Sequence, residues 1–561
     1  MKRKKQSIAL ITLLGLIIIC VIKSGFNLKY MMAEVVFSSI NSVDSEIIFS
    51  QKAGFYENDF YLRIYAPSDE IYYTLDGSEP NRDSYKYEGP LLVYDATQNE
   101  NTNSMRTDVS GNFLKGDTRY RTPEYLIDKC TILKVAYYDN QGRRSKTEER
   151  VYFVNYANKC GYENVNIISI TAEPEDLFGK DRGIYVLGDT FDNYAATVDL
   201  SETYDYAWEA NYKNSGREWE RNAYIQVFDT EKELVLAQSV GLRIQGGVSR
   251  SFYPKSLNIY ARNEYGNNQM TYDFFGTGYY PQRVTLSTGG NDYYGKMKDR
   301  LGAELSKNLN FCTMHYEPYV LFLNGEYWGF YYLTEKYDEK YIEHYYDIDK
   351  ENVIIFKQGG LEAGSEDDFG LYEEMKFFVE LADMTIDENY QKACDILDMD
   401  SFMDYYAAEI YMARNGDWPS ANYALWRSRD ITEKTYEDGK WRWMLFDVNT
   451  SSLKDDLAEH DTLAYVIKEC KMFSNLSKNA QFRKSFSDRL REMRDIVFEE
   501  SLVNEKLDEY KSLMTDPMEN YFQRFHGSSN DEFHNRRRKM REFAALRTAY
   551  VEIMLQNNGF D

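Results

Sequence analysis

Apolar residues are laid out differently in each part of this chain. Ile8 to Ile22 is an almost unbroken apolar run, between the basic start Met1-Lys2-Arg3-Lys4-Lys5 and Lys23. The run is shorter than the roughly 20 residues of a spanning helix and lies at the long end for a signal h-region of roughly 7–15. No clear small-x-small cleavage site follows it. The pattern predicts an uncleaved signal anchor over residues 1–30, with a cleaved signal and a secreted product as the alternative. By the positive-inside rule the basic end stays cytoplasmic and the bulk of the chain is extracytoplasmic.

Between about 45 and 156 the pattern becomes short apolar runs separated by turn residues. Phe60–Tyr65, Glu70–Thr74, Gly89–Tyr94, Thr131–Tyr138 and Arg150–Val154 read as strands, with turns at Asp76-Gly77-Ser78 and Asp139-Asn140-Gln141-Gly142. Such spacing predicts an immunoglobulin-like β-sandwich. Residues 95–125 are polar and poorly periodic and read as a long insertion loop.

From about 165 to 556 strands and helices mix. Gly183–Gly188 reads as part of a strand-and-loop lead-in. Gly241–Arg250 followed by Pro254–Tyr260 reads as strand, loop, strand. A helix is predicted from Tyr294 to about Leu309, with Met297, Leu301, Leu305 and Leu309 on one face. Tyr319–Leu323 and Tyr327–Leu333 flank Asn324-Gly325, a strong hairpin signal. Thr334-Glu335 then leads into a helix. An amphipathic helix spans Asp400 to Arg414, a strand spans Trp441–Phe446, and the region from about 474 is helical. The fold class expected is multidomain α+β.

Composition narrows the function classes. The net charge of −25 opposes a phosphate backbone, so no nucleic-acid partner is expected. Fifty tyrosines and 31 phenylalanines suit packed β-structure and surfaces facing sugar or protein. The six cysteines form no C-x-x-C pair; Cys130 with Cys160 is the one pair considered for a disulfide. Five histidines, none at metal-ligand spacing, argue against Ser-His hydrolases and His-bound zinc. Chemistry must therefore rest on carboxylates, amides, Lys and Arg.

Two segments concentrate those groups. Asp417 is followed five residues later by Asn422, just past the 400–414 helix, and the Trp441–Phe446 strand ends in Asp447. Upstream, Gly246-Gly247-Val248-Ser249-Arg250 is a glycine-hydroxyl-basic loop able to form an anion nest, with Lys255 beyond it. A bland reading stands beside each: Asp417 as a turn residue ahead of Pro419, and the loop as a hairpin with a bulge. Glu304 is either a solvated helix residue or a partner for Lys255. Arg536-Arg537-Arg538-Lys539 reads as a solvated helix face, with docking of an acidic substrate as the sharper alternative.

The order of these parts resembles a protein kinase, in which an Asp orients the attacking hydroxyl, an Asn five on binds metal, and an Asp past a later strand binds the metal that bridges the phosphates. More specifically, residues 165–556 resemble the spore-coat protein H (CotH) kinase-like family, an atypical two-lobed branch of the kinase fold. The matching pieces are Trp219-Glu220-Arg221, Arg243–Arg250 with Pro254-Lys255-Ser256, Asn324–Gly329 with Thr334-Glu335, Asn415-Gly416-Asp417 with Asn422, and Phe446-Asp447. The segment Ile71–Pro80 resembles a chitobiase carboxy-terminal type domain, a module usually serving as a spacer or, more sharply, in sugar binding. The resemblance implies ATP-dependent phosphorylation of Ser/Thr hydroxyls on coat or surface proteins, with Mg²⁺ or Mn²⁺. It makes Asp417 the catalytic acid and Asn422 and Asp447 the metal ligands. Arg243, Gly246, Ser249, Arg250, Lys255, Glu304 and Glu335 fall at the cofactor-binding positions. Asn449 lies within reach of the metal. No histidine precedes Asp417, so a His-Arg-Asp scaffold is expected to be absent. The alternative function is a catalytically weak, kinase-shaped surface protein that binds protein or cell-wall carbohydrate.

Overall fold

The structure, a computed structural model, describes residues 47–560 except 415 and 451. The expected anchor therefore lies outside the described residues, as does Asn415. Among the described residues no helix is long and apolar enough to cross a membrane. The chain divides into two compact units: one runs to Ala96 and resumes over Thr131–Asn155, the other comprises Thr97–Cys130 and Tyr156 onward.

The first unit is a five-stranded sheet with two short strand pairs. The sheet runs Gly54–Tyr56, Glu148–Val154, Thr131–Tyr137, Ile71–Thr74 and Tyr85–Lys86. Ile48–Phe49 pairs with Ile64–Tyr65, and Phe60–Leu62 with Leu91–Val93. Alternate residues Leu133, Val135 and Tyr137 enter a core with Leu62, Tyr152 and Val154, on one face of a strand that is buried on both faces from Ile132 onward. The strand expected over Phe60–Tyr65 is interrupted at Arg63, because the chain changes partners there: Leu62 pairs with Leu91, and Ile64 with Phe49.

The polar stretch expected as an insertion loop belongs to the second unit. Glu326, itself buried, accepts the main-chain N–H groups of Thr102 at 2.6 Å and Ser104 at 2.7 Å. Cys130 N donates to the Gly325 carbonyl at 2.8 Å. No disulfide joins Cys130 to Cys160: the first is a buried thiol near the Gly325 carbonyl, the second a thiol on the surface.

The core of the second unit is a closed barrel of seven strands. They are Asn166–Ala172 (β1), Arg221–Phe228 (β2), Leu234–Ile244 (β3), Leu257–Tyr260 (β4), Arg283–Ser287 (β5), Tyr316–Leu323 (β6) and Glu326–Thr334 (β7). The order is β1-β2-β3-β4-β5-β7-β6, closed by the parallel pairing of β6 with β1. Asn324 and Gly325 both take positive φ, 43° and 82°, as the tight β6–β7 hairpin requires. Every residue of β7 is buried. A Cβ on Gly329 would lie 2.9 Å from the Phe525 ring, so glycine is what lets that ring pack on the strand. The lead-in over Gly183–Gly188 is not a strand. Its Ile184 and Tyr185 N–H groups bond instead to the Asp176 and Leu177 carbonyls of the short helix Pro174–Phe178.

Between β5 and β6 of the barrel, the helix Lys298–Ser306 (α1) is shorter than predicted. Its first turn is preceded by a glycine loop, Gly289-Gly290, in which both residues have positive φ. The second lobe has a four-stranded sheet of Val353–Lys357 (β8), Gly360–Ala363 (β9), Ala424–Ser428 (β10) and Arg442–Met444 (β11), ordered β9-β8-β10-β11. Against it lie Glu339–Tyr346 (α2), whose Tyr341 and Ile342 enter the sheet's core, and Met399–Tyr411 (α3), buried from Ser401 onward. Two 27-residue helices, Glu500–His526 (α4) and Asp531–Asn557 (α5), complete the unit. Arg536, Arg537, Arg538 and Lys539 pair with Glu532, Asp508, Glu542 and Asp455, so this basic run is spent on the protein's own acids.

Candidate functional site

The helix α3 sets the floor of the site. Its last carbonyls need partners, since no further turn of helix supplies them. The buried Arg547 of α5 provides them, donating to the Tyr411 carbonyl at 3.0 Å and the Ile410 carbonyl at 2.6 Å. The chain then enters the loop that carries Asp417. Trp418 is fully buried and donates its indole N–H to Tyr405 at 3.1 Å, and Tyr465 bonds to the carbonyls of Gly416 and Trp418. Trp418 thus nails the loop down while Asp417 is exposed, with no hydrogen bond to its carboxylate among the described residues.

No histidine stands just ahead of Asp417, and Arg414 ties its loop down instead. This residue is buried, ion-paired to Glu409 at 2.7 Å, and donates to the carbonyls of Phe446 at 3.3 Å and Asp447 at 2.6 Å. One guanidinium therefore ties the Asp417 loop to the Asp447 loop. Burial pushes Glu409 up to about 7, against the pull of Arg414. The clue was present in the sequence as an Arg three residues before Asp417, without the customary His.

Asp447 takes a left-handed backbone, φ 55°, which a non-glycine residue holds only when its surroundings impose it. Val448 N donates to Asp299 Oδ1 at 2.8 Å, and Asn449 Nδ2 bonds both Asp299 Oδ2 at 2.7 Å and Asp447 Oδ1 at 2.8 Å. Asn449 Oδ1 accepts Asn291 N at 3.0 Å. Asn449 is thus a clasp, with its oxygen turned to the main chain. Asp299, which sequence reasoning missed, is pushed up to about 7 by burial and then by the neighbouring Asp447 carboxylate. Asn422 Oδ1 accepts from Gln358 Nε2 at 3.0 Å, which leaves that oxygen one lone pair.

The phosphate-site expectations fare differently. Lys255 is fully buried and donates to the carbonyls of Arg250 at 2.7 Å and Phe252 at 3.1 Å, with its ammonium 3.7 Å from the Tyr212 ring centre. Burial drives its pKa well down. Glu304 accepts from Arg300 at 2.5 Å and from Tyr510 at 2.7 Å, so the expected Lys255–Glu304 pair does not form. Arg250 donates to the carbonyls of Gly246 at 2.6 Å and Asn214 at 2.8 Å, which commits its side chain to the backbone while the tip of the Gly246–Arg250 loop stays exposed, and Ser249 lies in its 3₁₀ turn. Glu335 is buried and accepts from His315 and Tyr345, a lobe-joining contact rather than a cofactor contact. Only Arg243 stays part of a cationic surface. It sits 4.2 Å over the Tyr260 ring, with Arg262 at 4.8 Å and Arg283 at 5.6 Å from the same ring and with the buried Glu220 beside Arg243 and Arg262.

Arg283 leads to the cations the sequence did not single out. Thr285 of β5 pairs with Thr334 of β7, so the antiparallel register sets Arg283 opposite Lys336. Lys336 is pushed down to about 8, first by burial, then by Arg283, and also by Lys357, with the Glu362 carboxylate opposing. Lys357, at the end of β8, lies 4.3 Å over the Phe446 ring; burial lowers it while Glu362 and Asp447 pull it back up. Lys357 thus borders Asp447, and Arg283 and Lys336 crowd Lys357. Among the described residues no three Asp, Glu, His or Cys side chains converge as a metal cage. Asp447 and Asp299 crowd two carboxylates around one amide, and the Asn422 oxygen keeps a lone pair beyond its bond to Gln358. That hard, incomplete donor set fits Mg²⁺ or Mn²⁺, which take one or two carboxylates and complete their shell from phosphate and water.

The CotH kinase protein family matches residues 242–551, more than half of the chain, and the Fn3 associated family matches residues 62–152. No curated protein matches the chain.

Proposed function

Because the chain belongs to the CotH kinase protein family, we propose that it is an atypical protein kinase. It transfers the ATP γ-phosphoryl group to Ser/Thr hydroxyls of spore-coat or cell-surface proteins. One observation supports this reading most: in a chain of net charge −25, Lys357 lies beside the Asp447 carboxylate and is clustered with two further cations, Arg283 and Lys336. Crowded cations are relieved by phosphate oxygens, and crowded carboxylates by a divalent cation. Asp447 and Asn422 hold Mg²⁺ or Mn²⁺, which supplies charge neutralisation at the transferring phosphoryl group. Lys336, Lys357 and Arg283 orient the phosphates. Asp417, exposed on its anchored loop, orients the acceptor hydroxyl. The body is held outside the membrane by the N-terminal segment, with a secreted form as the alternative, so the acceptors are exported proteins.

The test is transfer from labelled ATP by the purified protein with Mn²⁺ or Mg²⁺, read as autophosphorylation and as labelling of coat or surface proteins. Absence of both metal-dependent nucleotide binding and transfer would overturn the reading. A second reading, a kinase-shaped protein that binds surface partners with little catalysis, is favoured by Lys255 and Arg250, both committed to backbone carbonyls.

A further inference from the structure

We propose that Asp299 is a positioning residue that links the barrel lobe to the metal ligand Asp447, with Asn449 as its intermediary. The inference rests on the reading of Asp447 as the metal ligand.

The argument is one of hydrogen-bond accounting. The Asn449 amide has two N–H donors and one carbonyl oxygen. One donor goes to Asp299, the other to Asp447, and the oxygen is taken by Asn291 N. The second Asp299 oxygen takes Val448 N. The neighbouring Thr450 hydroxyl accepts from Asn291 Nδ2 at 3.2 Å. Val448, Asn449 and Thr450 are therefore each bonded to the loop-and-helix segment 291–299, and Asn449 passes that hold on to the Asp447 carboxylate.

That segment is itself rigid. Asp292 Oδ2 accepts Met297 N at 2.8 Å and Lys298 N at 3.1 Å, which holds the entry of α1 and so the placement of Asp299 one residue on. A side chain on Gly290 would meet the Asn449 amide at 2.9 Å, so the glycine loop is what allows the close approach. On the other side Arg414 holds the Asp447 carbonyl. Asp447 is thus gripped from the helical lobe through its main chain and from the barrel lobe through its side chain and the next two residues. A kinase commonly needs a lysine–glutamate ion pair in place beside its metal-binding Asp. Here Lys255 and Glu304 are committed elsewhere, and the Asp299–Asn449–Asp447 chain is what ties the barrel lobe to the Asp447 loop. Outer partners of metal ligands set the ligand's orientation, and their removal typically costs about 10–100-fold in metal affinity.

The experiment measures Mn²⁺ binding calorimetrically in the full chain with a non-hydrolysable nucleotide, together with thermal unfolding. Asp299→Ala and Asn449→Ala are compared with the wild type and with Asp447→Ala. The expected result is a rise of about tenfold or more in the Mn²⁺ dissociation constant for both clasp variants. Transfer by these variants should recover toward the wild-type rate as Mn²⁺ is raised to saturation. Asn449→Ala keeps the Asp299–Val448 bond, so it reports on the clasp even if Asp299→Ala does not fold. Folded variants with an unchanged Mn²⁺ dissociation constant would overturn the positioning role while leaving Asp447 as the ligand. A wild type that binds no Mn²⁺ overturns the metal reading and this inference together.

Discussion

Arg414 donates to the main-chain oxygen of Asp447 at 2.6 Å, so a residue three positions before Asp417 fixes the loop that carries the other acid. The same guanidinium is ion-paired to Glu409 in the interior. Replacing Arg414 by Met leaves Glu409 buried without its cation, and loss of one member of such a pair costs about 3–5 kcal/mol. Urea unfolding should show a loss of that order, and an Arg414→Met/Glu409→Leu double variant should recover part of it. A single-variant loss below about 1 kcal/mol would mean that water reaches Glu409 and the pair is not a buried one.

The two acids should separate on substitution. Asp447→Ala removes the carboxylate that borders Lys357 and Asp299. Metal-dependent nucleotide binding should disappear. Asp417→Asn keeps the loop and its Trp418 anchor, so binding should stay within about twofold while transfer falls by about 10²-fold or more, the usual scale of general acid–base assistance. Full transfer by Asp417→Asn would remove it from the catalytic role.

Lys255 and Lys357 should behave oppositely. Lys255 satisfies two buried carbonyls, so Lys255→Met should lower the unfolding temperature and leave nucleotide affinity of the folded protein nearly unchanged. Lys357→Met should leave stability nearly intact and weaken nucleotide binding about ten- to a hundred-fold, the value of a charge-assisted bond of roughly 1.5–3 kcal/mol. The reverse pattern in a nucleotide titration would restore the Gly246–Lys255 segment as the phosphate site.

Lys336 gives the site a pH signature. Its ammonium is pushed down to about 8 by burial and by Arg283. Phosphates raise it again, so nucleotide binding near pH 8 should take up protons, and affinity should fall as pH rises through that value. Without ligand the sign runs the other way: between about 8 and the ordinary lysine value the unfolded chain holds the proton and the folded chain does not, so stability rises with pH there. Calorimetry in buffers of different ionisation enthalpy measures the uptake. Proton uptake unchanged in Lys336→Met would assign it elsewhere.

The unit boundary also has a consequence. A chain beginning near residue 160 lacks Thr102 and Ser104, whose N–H groups satisfy the buried Glu326 carboxylate. An unpaired buried charge of this kind is strongly destabilising. Such a fragment should unfold well below the full chain, and Glu326→Gln should restore part of the difference. A fragment as stable as the full chain would show that water replaces both donors.

Local rules carried much of this protein. The Asn324-Gly325 hairpin follows from two positions needing positive φ, and the order of strands and helices followed from apolar spacing. Asp417, Asn422 and Asp447 could be singled out because those residues stand at fixed offsets from a helix end and a strand end. What each charged side chain touches was not legible, because that depends on residues distant in the chain. Lys255 looked like a phosphate ligand beside its glycine loop, but Tyr185, Tyr212 and its own turn's carbonyls enclose it. Arg283, Lys336 and Lys357 carry no motif, and sheet register and side-chain placement gather them. Asp299 reaches Val448 only because α1 crosses from the barrel to the second lobe. Backbone preference is short-ranged and can be read from neighbours in sequence. Burial and charge pairing are settled by neighbours in space, and only the folded chain supplies those.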